Sequence, residues 1–101
     1  MKWGMTDEQY SILENLVIKP LKSHGCEVYI FGSRAKGSHH PHSDVDLLFK
    51  KSDGKPFPAG FLSEIKEQID ESRFPFIVDL VDEQELAQSY RDSVFFSRIP
   101  L

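Results

Sequence analysis

A small α/β domain (α+β in some schemes), with a mixed sheet and flanking helices, is the fold predicted for this 101-residue chain. Three observations predict it. Short runs rich in β-branched and aromatic residues, over 28–31, 44–49 and 76–81, alternate with longer stretches of helical period. The order reads α-β-α-β-α-β-α. Hydrophobic residues make up 40% of the chain and eight are Phe, which suits a packed core rather than disorder. No repeat, low-complexity segment or linker divides the sequence, so residues 1–101 are expected to form a single domain.

The elements follow in order. Thr6-Asp7-Glu8-Gln9 has the form of a capping box, with Thr6 at the N-cap and Gln9 at N3. Tyr10, Leu13, Leu16, Val17 and Leu21 then recur at helical spacing. Pro20 is expected to end or kink this helix, and Trp3 and Met5 to pack back onto it. Gly25 stops the helix before a buried strand over about 27–31. Gly32 and Ser33 mark its end, and a short helix is expected over 33–38 with Ser33 as N-cap. Only 11 residues run from Ser33 to Ser43. A parallel crossover usually needs about a dozen or more, so the second strand should return antiparallel.

Lys51 to Pro58 reads as a surface loop. Ile65 and Ile69, with Phe61 or Leu62, give the next helix one apolar face, leaving Glu64, Lys66, Glu67 and Asp70 to solvent. That helical crossover makes the third strand, 76–81, parallel to the second. Asp82-Glu83-Gln84-Glu85 resembles another capping box, with Asp82 as cap. Leu86, Tyr90 and Val94 would form the stripe of a last helix, with Tyr90 in the core. Phe95, Phe96, Ile99 and Leu101 leave an apolar tail for a sheet edge or a partner.

Chemistry concentrates in one stretch, 32–46, reading GSRAKGSHHPHSDVD. Gly32 lets a phosphate approach the backbone, and a helix start beside it offers free N–H groups to an anion. Asp44 and Asp46 alternate with Val45, Leu47 and Phe49, so both carboxylates share one face while the apolar side chains enter the core. Two such carboxylates repel unless a cation lies between them. Asp79 sits within an apolar run, where a charge is costly unless paired or metal-bound. Asp44, Asp46 and Asp79 together suit two Mg²⁺ or Mn²⁺ ions. Ions about 3.5–4 Å apart stabilise the attacking and leaving oxygens of a phosphoryl displacement. Gly32 and Ser33 would hold the β- and γ-phosphates. Arg34 and Lys36 would neutralise the triphosphate, or are ordinary surface charges.

Gly-Ser, ten residues, Asp-x-Asp and a distant strand Asp resemble the polymerase-beta-type nucleotidyltransferase superfamily. FGSRAKG and SDVDLLF resemble its minimal nucleotidyltransferase branch over nearly the whole chain. The resemblance implies Gly32 and Ser33 for nucleotide phosphates, and Asp44, Asp46 and Asp79 for metals and catalysis. It further implies ATP as substrate and a HEPN-family toxin as partner, adenylylated on a tyrosine and silenced by this antitoxin in a shared oligomer. Two readings compete: a non-catalytic antitoxin that acts by binding, and a transferase for a small molecule or an RNA end.

Other features exclude or dilute functions. The net charge of −4 and pI near 5.5 argue against a broad nucleic-acid-binding surface. The single cysteine, Cys26, fits a reducing cytosol, and no apolar run approaches a membrane span, so a cytoplasmic protein is expected. A Walker loop over 32–38 fails because Ser38 stands where that motif needs lysine. His39, His40 and His42 invite a zinc reading, but a polar loop around Pro41 without a nearby cysteine reads first as solvated. Lys50 and Lys51 read as a solvated strand end, and Arg73, Arg91 and Arg98 carry no motif.

Overall fold

The capping box closes as its residues dictate. In the computed structural model, which describes residues 2–101, Thr6 Oγ1 accepts from the Gln9 N–H at 3.1 Å. Gln9 Oε1 accepts in return from the Thr6 N–H at 2.9 Å. Helix α1 (Asp7–Leu13) follows. Of the two outcomes expected at Pro20, an end or a kink, the helix does not end. A π-turn, Glu14–Ile18, carries it straight into α2 (Lys19–Ser23), with Pro20 in the first turn of α2. Proline has no N–H for the carbonyl four residues back, and its ring strikes that carbonyl. Wider pairing avoids the conflict: the Lys19 N–H reaches the Glu14 carbonyl. Leu13, Val17, Ile18 and Leu21 are buried along the resulting rod. Met5 is fully buried, and Trp3 lies 5.7 Å from the Tyr10 ring, as expected of the N-terminal turn.

Strands β1 (Cys26–Phe31) and β2 (Val45–Lys51) pair antiparallel, and β3 (Val78–Asp82) lies parallel to β2, both as the connection lengths require. The sheet order is β3-β2-β1-β4. The fourth strand, β4 (Ile99–Pro100), was not anticipated; it pairs with β1, and the Leu101 N–H donates to the Val28 carbonyl. The Ile99–Leu101 tail thus covers a sheet edge, whereas Phe96 is 93% exposed.

Between β2 and β3 lies α4 (Phe61–Glu71), with Ile65 and Ile69 buried and its charged residues outward. The core joins these to Val28, Ile30, Val45, Leu47, Phe49 and Val78 on one sheet face. Period-2 alternation puts Asp46, Leu48 and Asp79 on the other face. Leu48 is nevertheless fully buried there.

Boundaries in the C-terminal part differ from expectation. β3 begins at Val78 rather than at residue 76. Phe76 instead lies under the Arg34 guanidinium, 4.2 Å from ring centroid to Cζ, and edge-on to Phe74. Asp82 does cap a turn, accepting from the Gln84 N–H at 2.9 Å, but only a 3-10 turn (Glu83–Glu85) follows. Leu86 is extended, and the last helix, α5 (Gln88–Ser97), starts afresh. Tyr90 is 64% exposed on α5, not in the core, while Val94 is buried. Arg98 lies over the rings of Tyr29 and Phe95 and holds Glu83 at 3.0 Å.

Candidate active site

The parallel register puts Asp46 of β2 opposite Asp79 of β3, and the antiparallel register puts Asp46 opposite Phe31, the last residue of β1. Gly32 follows Phe31 directly. The Gly-Ser turn and two of the three aspartates therefore converge on the central strand. Asp44 stands one residue ahead of β2 rather than within it, and is exposed. Asp79 is exposed too, so the desolvation cost expected inside an apolar run does not arise.

Gly32 has φ +76, a left-handed conformation that side chains resist. A Cβ built there would also collide with Asp46 Oδ2 and stand 3.2 Å from its Cγ. Only glycine lets this turn lie against that carboxylate. Ser33 is not the N-cap. Phe31 occupies that place without a side-chain cap, and Gly32 is the first residue of α3 (Gly32–Lys36). The Ser33 carbonyl accepts from the Ser38 N–H at 3.0 Å, and Gly37 at φ +75 ends the helix.

Arg34 is not the ordinary surface charge that was one of its two expected readings. It is 2% exposed and turned inward. Its Nε and Nη2 donate to the Ser43 carbonyl at 3.2 and 2.7 Å, and its Nη1 donates to the Trp3 carbonyl at 2.8 Å. Burial lowers its pKa, opposed by the negative charges of Asp44 and Asp46. Lys36, by contrast, is exposed at the end of α3.

Burial raises the pKa of Asp46 above the ordinary carboxylate value. The charges of Asp79 and then Asp44 raise it further, while Arg34 pulls the other way. Among the described residues no group of three or more His, Cys, Asp or Glu side chains is placed to hold a metal ion by itself. The aspartates instead surround Asp46 at coulombic range. A half-buried carboxylate pressed by two like charges is a group whose repulsion a hard divalent cation would relieve.

The histidines divide. His40 and His42 are exposed in a loop folded on itself, where the His42 N–H meets His40 Nδ1 at 3.3 Å and the His40 N–H donates to Ser43 Oγ at 3.0 Å. His39 is half-buried against Gly4, and its Nδ1 is buried without a partner among the described residues. Ser43, buried and bonded through both its carbonyl and its hydroxyl, is the residue that sequence reasoning missed. A serine beside a carboxylate pair carries no periodic signal. A cavity of about 230 Å³ lies elsewhere, lined by Phe49, Leu62, Lys66, Leu80 and Asp82 among others on the helix-covered side of the sheet.

A glycine turn set against paired strand carboxylates is the arrangement of a nucleotidyltransferase domain. The chain belongs to that family, whose pattern matches residues 13–101. It is similar to the Haemophilus influenzae protein described as "Probable protein adenylyltransferase MntA", at 35% identity over 69 residues. That match covers 66% of this chain and 57% of the relative's length. The fold is similar to a solved chain assigned as a minimal nucleotidyltransferase, at 30% identity and a TM-score of 0.70, over 96% of this chain and 97% of that one. It is also similar to a chain of the MntA–HpeT toxin–antitoxin, at 25% identity and a TM-score of 0.63, over 87% and 70%.

Proposed function

We propose that this chain transfers AMP from ATP to a hydroxyl, that the acceptor is a tyrosine of a HEPN-family toxin, and that it thereby acts as the antitoxin. The observation that carries the reading is Asp46. It is held against a glycine-only turn on one side and paired in register with Asp79 on the other. Membership of the nucleotidyltransferase family supports the reaction class. The descriptions of two relatives, a protein adenylyltransferase and a toxin–antitoxin, support the acceptor class.

The reaction joins the acceptor oxygen to the α-phosphorus and breaks the bond from that phosphorus to the α,β-bridging oxygen. AMP stays on the acceptor, pyrophosphate leaves, and the hydroxyl proton is lost to solvent. The Gly32-Ser33 turn would hold the β- and γ-phosphates, with the exposed Lys36 adding positive charge. Arg34 is set apart from that task because it is buried and three of its five N–H donors go to backbone carbonyls. Asp44, Asp46 and Asp79 would hold Mg²⁺ or Mn²⁺, which supplies charge neutralisation and hydroxyl activation when bound. Asp44 and Asp46, nearest the turn, serve the nucleotide. Asp79, exposed on its own strand, serves the incoming hydroxyl.

The test is intact-mass analysis of the HEPN partner after incubation with the chain, ATP and Mg²⁺. Added AMP on a partner tyrosine is the expected result. Binding of the partner with no mass change refutes the transferase and leaves the binding-only antitoxin.

A further inference from the structure

We infer that Arg34 is the positioning residue of this site, locking together the segments that carry its carboxylates without touching nucleotide. The inference rests on the transferase reading for its kinetic part only. Arg34 lies one residue past the Gly32-Ser33 turn. Its Nε and Nη2 both grip the Ser43 carbonyl, which belongs to the peptide unit leading into Asp44. That double contact fixes the peptide plane from which Asp44 projects. The ring of Phe76 lies under the guanidinium, and the neighbouring Ile77 carbonyl accepts the Val45 N–H at 2.8 Å just before β3 carries Asp79. Nη1 anchors the assembly to the Trp3 carbonyl, in a turn closed by the paired Lys2 and Met5 backbones.

A buried guanidinium is costly unless its donors are satisfied. Here backbone carbonyls satisfy three of them, and an aromatic face covers the plane. Among the described residues no carboxylate bonds it directly. One side chain thus sets the mutual placement of the phosphate turn, the Asp44–Asp46 pair and the approach to Asp79. Lysine cannot substitute, since a point ammonium lacks the planar fork and the stacking surface. Gly4 completes the arrangement. At φ +78, a Cβ there would strike His39 and come within 2.9 Å of Arg34 Nη1.

The experiment compares wild type with Arg34→Met, Arg34→Lys, Gly4→Ala and, as a control for lost stability, Arg98→Met. The control removes a guanidinium that stacks on Tyr29 and Phe95 and binds Glu83. Two readouts are taken well below each melting temperature: amide exchange at Val45, and AMP transfer from ATP to the HEPN partner across a Mg²⁺ titration. The expected result for Arg34→Met is faster Val45 exchange, transfer lowered about 10- to 100-fold and a raised Mg²⁺ requirement. Arg34→Lys should fail to restore the rate, and Arg98→Met should leave both readouts near wild type. Where Arg34→Met does not fold, Gly4→Ala decides, because its Cβ crowds His39 and Arg34 Nη1 and strains the turn that carries the Trp3 carbonyl, without deleting the guanidinium. A folded Arg34→Met, or Gly4→Ala in its place, with wild-type exchange and Mg²⁺ dependence overturns the inference, as does full activity in Arg34→Lys. If wild type transfers nothing, the transferase reading fails, and Val45 exchange alone still decides the positioning of the loop.

Discussion

Replacing Gly32 by alanine should damage this protein through two separable effects. The first is backbone strain. An L-residue in the left-handed region costs about 1–2 kcal/mol, and φ +76 lies within it. The second is steric. The new Cβ meets Asp46 Oδ2, the end of a half-buried side chain, and turning that side chain off its rotamer costs about 0.5–1.5 kcal/mol more. Gly32→Ala should therefore lose about 1.5–3.5 kcal/mol of stability in all. The two effects part in a double-mutant cycle. In an Asp46→Ala background the nearest remaining atom is Asp46 Cβ, at an ordinary 3.4 Å. Only the backbone cost should then remain, about 1–2 kcal/mol. Urea denaturation of the four proteins at fixed pH gives the coupling directly. A coupling above about 0.5 kcal/mol supports the contact. Equal losses in both backgrounds would show that the turn does not rest on the carboxylate, and the site geometry would fall with it.

Other outcomes follow from the same geometry. Asp79→Asn should bind ATP with Mg²⁺ nearly as wild type but transfer AMP about 10²–10³ times more slowly, whereas Asp44→Asn should weaken binding itself; calorimetry beside transfer rates tests both, and wild-type transfer by Asp79→Asn refutes its role. Asp46 has a raised pKa, so the metal-free folded state holds its proton more tightly than the unfolded chain does. Its contribution to stability is full below the unfolded carboxylate value and is lost as pH rises through the folded one. Denaturation midpoints of metal-free protein should show that fall above the ordinary carboxylate value, and Asp46→Asn should flatten it; an unchanged slope counts against the burial and crowding of this group. Arg98→Met should cost about 1–3 kcal/mol by removing a charged hydrogen bond to Glu83, while Phe96→Ser should stay within about 0.5 kcal/mol. Equal melting temperatures for those two variants would refute the packing described for α5.

The parts of the fold with a period were legible in the sequence. Val45, Leu47 and Phe49 alternate with Asp44 and Asp46, and that parity correctly gave the strand, its core face and the facing of Asp46. Connection lengths gave both strand directions. What failed lacked a periodic signal or ran against a local rule. Pro20 reads as a stop or a kink, and the sequence does not show which, because a π-turn just ahead of it can absorb the missing donor. β4 is two residues long and includes a proline, so neither alternation nor propensity marks it. Phe76 and Ile77 read as strand because an apolar run does not reveal which residue leaves the ladder to lie under a guanidinium. Arg34 sits in a polar stretch beside Lys36. Its inward turn depends on the carbonyls of Trp3 and Ser43, which composition does not encode.

The central strand serves two clients with one alternation, and that limits how its length can change. Inserting or deleting one residue within Val45–Lys51 inverts everything beyond the change. Aliphatic side chains would then enter the site, and polar ones the core. Only a change of two residues preserves parity, and it would also have to keep both flanking registers. Residues 37–42 carry no such parity and can absorb added chain. The boundary between the two regimes is Ser43, whose carbonyl is fastened by Arg34. Length variation among functional variants should therefore gather before that serine and vanish after it. A library of single-codon insertions scanned across 37–51 would draw that boundary as a sharp edge.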